Sequence, residues 1–333
     1  MREIDIRPPD LFDRFLELSR GDIDTFFSDK TTFESIACPG CRSEDTEDGF
    51  VKYGFRYVVC NKCRSLYCSP RPIRTQVEAF YQHSKAVEFW AQHFYAKTAD
   101  ARRRLLFRPR AQLALQIALQ GSDAPRSPWL VDIGSGYGML LEEARELGAF
   151  GGVVGVEPSE RLAAVSRDRG FAIIGKYAEQ LGPEDIQADV ATCFEVLEHV
   201  HDPHLFLLGI RAGLRSGGRV LLTTLTASGF DIQVLWENSK SVSPPHHLNF
   251  LSIEGMKRLF EGCGFKVLKM ETPGQLDVDI VANMYRENQE IRHSRFVEEL
   301  VMYGDERRKA AFQGFLAAHC LSSHMRVIAE RDG

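Results

Sequence analysis

Apolar positions change their period several times along the chain. Leu11, Phe12, Phe15 and Leu18 recur at helical spacing and predict one short helix over residues 8–27. Residues 33–70 lose that period. FVKYGFRYVV (50–59) has the aromatic and β-branched content of short strands, and the segment closes at the proline-rich SPRP (69–72). Spacings of three and four return in Val77, Phe80, Tyr81, Val87, Trp90 and Phe94, down to Tyr95. A second helix, Leu105 to Leu119, is expected to stop at Gly121 and the GSDAPRSP linker (121–128).

From residue 129 onward, short apolar runs alternate with helical segments. Strands are expected at WLVDI (129–133), GGVVGVE (151–157), AIIG (172–175), VATCFE (190–195), RVLLTTL (219–225), KVLKME (266–271) and HMRVIAE (324–330). Such alternation implies an α/β fold, a parallel doubly wound sheet with helices on both faces. A helical stretch at 278–320 separates the last two strands as an insertion. The expected organisation is an N-terminal helix (1–32), a strand-rich module (33–71), a helical cap and linker (72–121) and a sheet domain (128–333).

Composition narrows the class. With 44% apolar and 26% charged residues and a formal charge of −5, the chain reads as an ordinary soluble globular protein without a global field for nucleic acid or anionic lipid. No apolar run approaches the roughly 20 residues that span a bilayer. The start, MREIDIRPPDLFDRF, lacks the apolar core of a secretory signal, so the cytoplasm is the expected location. Arg102, Arg103, Arg104, Arg108 and Arg110 form the densest basic run; it reads either as a solvated helix face or as a patch for a phosphorylated substrate.

Four of the eight cysteines are organised, as CPGC (Cys38, Cys41) and CNKC (Cys60, Cys63). That spacing is a zinc-site pattern, and four thiolates leave no open coordination position, so the expected ion is structural. Zinc ribbons often carry glycine after the second cysteine of each pair. Arg42 and Arg64 stand there, which predicts less regular knuckles. Cys68, Cys193, Cys263 and Cys320 have no partner spacing and are expected as buried thiols.

LVDIGSGYGMLLEEA (130–144) is a strand feeding a glycine-rich loop and then a helix. Nicotinamide cofactors, flavins and S-adenosylmethionine (SAM) are all held by such turns. A dinucleotide fold would run G-x-G-x-x-G, but after Gly134, Gly136 and Gly138 the site of that last glycine holds Met139. Asp132 precedes the loop, and Glu157 ends the second strand where a carboxylate can accept from ribose hydroxyls.

DIGSGYG, GVEPS, FEVLEHVHDP (194–203), LRSGGRVLLTT (214–224) and PPHHLNFLSIEGMKRLFEGCGF (244–265), in this order, resemble class I SAM-dependent methyltransferases. CNKCRSLYCSPRPIRTQVEAFY (60–81) resembles a subgroup with an N-terminal zinc ribbon, similar to sugar C-methyltransferases and enzymes of surface-polysaccharide and secondary metabolism. The resemblance implies a seven-stranded Rossmann-like sheet with a zinc ribbon and helical cap. It implies SAM held by Asp132, Gly134, Ser135, Gly136 and Gly138, its ribose by Glu157, its adenine flanked by Pro158 and Ser159, and Phe194 and Glu195 lining the pocket. Relatives often carry an acid after the third strand for the adenine amine; here GKYAEQL offers Lys176 and Tyr177, so Tyr177 or backbone amides near Ala178 take that place.

Methyl transfer to a hydroxyl or enolisable carbon needs a base, usually histidine. His199 and His201 lie beyond the fourth strand, and His246 and His247 beyond the fifth, at the edge where such sheets bind ligands. By the resemblance, His199 and His247 face the acceptor. Relatives often have glutamate before the second histidine; His246 replaces it. The aromatic stripe from Phe80 to Tyr95, with His83 and His93, is core or else a roof over the acceptor, with Tyr81 or Tyr95 supplying a hydroxyl. WENSKSVSPP (236–245) is an acceptor-side lid candidate. The expected partner is a small acceptor, sugar-like or nucleotide-linked, and no nucleic acid or membrane. The rival classes are an NAD(P)-dependent oxidoreductase and a non-catalytic ribbon protein carrying a degenerate domain.

Overall fold

Residues 8–120, 125–288, 290–291 and 294–333 are described in the computed structural model of the protein. Gly121 and the first half of the expected linker, and the side chains of Phe94 and Tyr95, lie outside the described residues. The first helix is Pro9–Phe26, with proline at its first turn and Leu11, Phe12, Phe15 and Ile23 buried along one face.

The strands run, in chain order, β1 (Thr46–Lys52), β2 (Phe55–Cys60), β3 (Leu66–Cys68), β4 (Trp129–Ile133), β5 (Gly152–Val156), β6 (Ala172–Ile174), β7 (Ala188–Phe194), β8 (Leu214–Leu225), β9 (Asn249–Phe250), β10 (Phe265–Glu271) and β11 (His324–Arg331). They build two sheets, ordered β1-β2-β3-β9 and β10-β11-β8-β7-β4-β5-β6. In the larger sheet β4 pairs in parallel with β5 on one side and β7 on the other, β5 with β6 and β7 with β8. The strand order therefore reverses between β4 and β7, and ligands of open α/β sheets bind beyond the carboxyl ends of strands at such a point. Strands of this sheet read as near-continuous apolar runs because helices cover both faces: Leu130, Val190 and Leu221 pack with Leu140, Leu141, Ala114 and Ile117 in one core.

The chain divides into two units that do not follow the linear scheme. One comprises residues up to 98, 225–256 and 271–326; the other comprises 99–224, 257–270 and 327–333. The strand-rich module is thus no separate N-terminal domain. Phe27, Phe55, Tyr57, Leu66 and Phe80 share a core with Leu225, Ile232, Val242, Leu248 and Phe250, which the sequence reading assigned to the sheet domain. The physical reason is size: a three-stranded ribbon buries too little apolar surface alone. The expected insertion consists of helices Asp277–Glu287, Arg295–Val301 and Glu306–Ala318 and packs with Leu235 in the first unit.

The helical cap also departs from expectation. Its break falls at Ser84, and the chain is then helical from Lys85 to Ala118, with π-helical turns at Trp90–Phe94 and Arg103–Phe107. Ser84 caps the new helix by accepting from Val87 N at 3.0 Å, and Asp22 on the first helix accepts from Ser84 Oγ at 2.5 Å and Ala86 N at 2.9 Å. The described part of the aromatic stripe, up to Trp90, is core: Trp90 packs on Phe12 and Phe15 and Phe80 on Phe26 and Phe27, while His83 and His93 are exposed.

Candidate functional site

Three left-handed glycines shape the loop after β4: Gly134 (φ 70°), Gly136 (φ 53°) and Gly138 (φ 74°). Each is needed for a different reason. A Cβ at Gly134 would lie 2.7 Å from Val196 Cγ2, and one at Gly138 would lie 2.9 Å from Ser166 Oγ, whereas one at Gly136 would meet open space. Gly138 therefore supplies the close helix packing that a third glycine at position 139 gives dinucleotide folds, and Met139 is free to be a buried core residue.

Glu157, at the end of β5, braces that loop. Its two carboxylate oxygens accept from Gly136 N and Ser159 N, each at 2.9 Å. Burial raises its pKa, and those two backbone donors oppose the rise. Asp132 is fully enclosed; burial pushes its pKa up to about 7, opposed by a 2.7 Å hydrogen bond from Thr192 Oγ1 and by Arg110. The Ser135 hydroxyl is buried without a hydrogen-bond partner among the described residues. A buried acid, an orphaned hydroxyl and an uncovered glycine at a switch point fit a polar ligand carrying a cationic group. Pro158 is exposed beside them.

Phe194 ends β7 and Glu195 follows it. Glu195 takes φ 56° and accepts from Thr223 Oγ1 at 2.7 Å and Arg110 Nη2 at 3.1 Å, while the Arg110 guanidinium covers the Phe194 ring at 4.5 Å. Lys176 is held by Asp185 at 2.7 Å, and Tyr177 is half-buried at the start of a short 3-10 turn. Glu198 is buried and accepts from Thr224 Oγ1 at 2.6 Å; His199, next to it, donates its backbone N–H to Val196 O at 2.9 Å.

The two adjacent histidines of the other unit have different surroundings. His246 is buried among the rings of Phe15, Phe80 and Tyr81, its Nε2 is 3.1 Å from Ser19 Oγ, and its carbonyl accepts from Tyr81 Oη at 3.4 Å. His247 is half-buried, and its Nδ1 faces the Ser241 carbonyl at 2.5 Å. A carbonyl carries no proton, so Nδ1 is the donor and the neutral ring has its lone pair on Nε2. The lid candidate is packed instead: Ser239, Ser241, Val242 and Ser243 are buried, and Lys52 Nζ donates to Ser239 O at 2.7 Å.

The four organised cysteines converge, with Cys38 and Cys63 sulfurs 3.5 Å apart, Cys41 and Cys60 likewise 3.5 Å, and all four within 4.8 Å of one another. None is in a disulfide. Thiolates about 2.3 Å from one tetrahedral ion sit roughly 3.8 Å apart, so the donor set and spacing fit zinc. Of the remaining thiols Cys68, Cys193 and Cys263 are buried, while Cys320 is only half-buried. Both knuckles are regular despite their arginines. Arg42 and Arg64 each take φ 62°, and each donates its backbone N–H to the first cysteine of its pair at 2.8 Å. Because the left-handed region strains an arginine, Arg42→Gly is expected to stabilise the chain by about 0.5–1 kcal/mol. Urea denaturation followed at the ribbon checks it; unchanged or lower stability would show that the arginine is unstrained.

Residues 96–270, over half of the chain, match the family model described as a methyltransferase domain. The chain belongs to the methyltransferase-domain family. A ubiquinone biosynthesis O-methyltransferase of Pseudomonas aeruginosa (strain LESB58) is 37% identical over 103 residues, covering 29% of this chain and 44% of that protein. The protein of that name from Vibrio vulnificus (strain YJ016) is 35% identical over 118 residues, 34% of this chain and 50% of its own length. The chain thus spans half or less of the length of these curated relatives. The solved structure of the plantazolicin methyltransferase in complex with SAH aligns with a TM-score of 0.50 at 12% identity, covering 77% of this chain and 94% of that one, a likeness of fold.

Within the methyltransferase domain, the basic run has a third role that sequence reading did not weigh. Arg103 and Arg108 clamp Glu143 and Glu146 at 2.7–3.0 Å, which neutralises them against the helix Met139–Glu146. Arg110 was not singled out as a site residue, yet it reaches both Glu195 and Phe194. Helical period does not set it apart, because Arg110 lies seven residues after Arg103 and shares its face of an ideal helix. Among the described residues, no helix is long and apolar enough to cross a membrane.

Proposed function

We propose that the protein is a SAM-dependent methyltransferase acting on a small hydroxyl-bearing acceptor of sugar-like or nucleotide-linked type. The observation that carries the cofactor reading is the carboxylate of Glu157 bonded to Gly136 N and Ser159 N beside the buried Asp132. SAM, when bound, supplies a methyl group already activated on a sulfonium. Gly134, Ser135, Gly136 and Gly138 would admit its methionine end, Asp132 its ammonium, Glu157 its ribose, and Pro158 and Tyr177 would flank its adenine. Phe194 and Glu195 would line the pocket, with Glu195 held in place by Arg110 and Thr223.

An acceptor hydroxyl must lose a proton as its oxygen attacks. We assign that proton to His247 Nε2, since the Ser241 carbonyl fixes the opposite nitrogen as the donor. His199 would face the acceptor. His246 has its ring enclosed by aromatic side chains and bonded to Ser19, so it is assigned to packing and not to proton transfer. The O-methyltransferase names of the relatives support transfer to oxygen. Zinc on Cys38, Cys41, Cys60 and Cys63 would be structural, and reduced thiols suit a cytoplasmic location.

Calorimetric titration with S-adenosylhomocysteine (SAH), NADH and NADPH tests the cofactor. Micromolar binding of SAH alone is expected, and binding of a nicotinamide cofactor instead would sink the proposal. Once nucleotide sugars have been screened for methyl acceptance, His247→Asn is expected to cut turnover about a hundredfold, the lower end for a lost general base, with SAH affinity unchanged. Undiminished turnover in that variant would remove His247 from the chemistry.

A further inference from the structure

The segment that carries His247 is tied along one side to the cysteine ribbon, while His246 packs on Phe15, Phe80 and Tyr81. β9 is two residues long, Asn249 and Phe250, and pairs antiparallel with β3 at the edge of its sheet, Leu66 opposite Phe250 and Tyr67 opposite Asn249. Carbonyls on the approach to β9 are taken up by ribbon donors. Tyr57 Oη donates to His247 O at 2.6 Å and Cys68 N to Leu248 O at 2.9 Å. Arg71, fully buried, donates through Nη2 to Asn249 Oδ1 at 2.9 Å and through Nε to Cys68 O at 3.1 Å. Past β9, Ser252 N donates to Ser65 Oγ at 3.0 Å and Ser252 Oγ bonds the carbonyl of Cys63. Next, Gly255 lies so close to Gly40 that a Cβ on Gly40 would be 2.9 Å from Gly255 Cα.

A two-residue strand has no stability of its own. Its register, and so the direction in which the His247 ring leaves the backbone, is set by the partner strand β3, which begins three residues after Cys63. We infer that the cysteine ribbon is a positioning device for His247, with Tyr57 and Arg71 as positioning residues that fix the backbone from which its imidazole reaches the Ser241 carbonyl. The inference rests on the reading of His247 as the base. It gives the ribbon a task beyond stability, since loss of these bonds releases the tautomer that leaves Nε2 able to accept a proton.

The test needs no acceptor. Full-length zinc-loaded protein with isotope-labelled histidine is compared as wild type, Tyr57→Phe, Arg71→Met and Tyr67→Phe, with the imidazole nitrogens of His247 read by nuclear magnetic resonance. SAH affinity is measured on the same samples. Tyr67 is the control: its hydroxyl is buried in the same sheet but has no hydrogen-bond partner among the described residues. Wild type and Tyr67→Phe are expected to hold His247 as a single tautomer protonated at Nδ1. Tyr57→Phe and Arg71→Met are expected to show both tautomers in exchange, with SAH affinity within threefold of wild type. A single Nδ1-protonated ring in both Tyr57→Phe and Arg71→Met would overturn the inference. So would tautomer exchange in Tyr67→Phe equal to that in Tyr57→Phe, because the effect would then not run through the bond to His247. Full turnover of His247→Asn on an identified acceptor would fail the base assignment separately, whatever the tautomers show.

Discussion

Glu157→Ala is expected to weaken SAH binding about a thousandfold while leaving the chain folded. The side chain accepts two backbone hydrogen bonds in a buried place, from Gly136 and Ser159, and charge-assisted bonds of this kind contribute roughly 1.5–3 kcal/mol each. Their loss leaves two N–H groups unpaired and lets the loop leave the conformation set by its left-handed glycines. Three decades of affinity correspond to about 4 kcal/mol, within the range of the two bonds together. Glu157→Gln separates bracing from charge: the amide keeps the shape, but its NH2 end faces a backbone donor, so an intermediate loss of about tenfold is expected. Calorimetry on both variants decides it, and SAH affinity within threefold of wild type for Glu157→Ala would remove this residue from the cofactor site.

The central sheet was legible because strands buried on both faces leave apolar runs bounded by glycine and proline. WLVDI and β4 coincide, and the helix read over 8–27 appears as Pro9–Phe26. What the sequence hid are relations between distant residues. Ser84 ends one helix and caps the next because Asp22, 62 residues away, meets it, and no local period reports that partner. Arg103 and Arg108 form one half of a charge clamp whose other half is 35–43 residues further on. Two residues carry no period, so the sequence predicts no strand at β9; it is a strand through its pairing with β3. The resemblance sets His247 apart from His246, but SPPHHLNF itself gives no physical difference; the burial of one ring and the carbonyl facing the other supply it. The knuckle arginines show the converse: the expected irregularity is absent because backbone bonds to Cys38 and Cys60 fix both turns whatever side chain they carry.

Cys63→Ser should abolish metal binding and unfold the ribbon, and Cys68→Ser should do neither. Both thiols are buried and lie five residues apart, so burial alone would predict similar effects. Their surroundings differ. The Cys63 sulfur is 3.5 Å from Cys38 within the four-sulfur cluster, whereas the Cys68 thiol lies outside that cluster and donates to the Pro70 carbonyl at 3.4 Å. Structural zinc contributes on the order of 10 kcal/mol to the folding of such small modules. That is comparable to the whole stability of an ordinary domain, roughly 5–15 kcal/mol. With a serine in place of one thiolate, the ribbon keeps only its packing against Phe80, Leu248 and Phe250 and loses the larger part of its stability, so the amides of β1 to β3 are expected to lose hydrogen-exchange protection. Cys68→Ser leaves the donor set intact and is expected to cost about 1–2 kcal/mol for burying a hydroxyl among apolar neighbours. Elemental analysis should find one zinc per chain in the wild type and Cys68→Ser and none in Cys63→Ser. Zinc retained by Cys63→Ser, with β1 to β3 still protected, would show that the four sulfurs do not act as one site. Because β3 holds β9, exposure in Cys63→Ser should spread to the amides of Leu248 to Ser252.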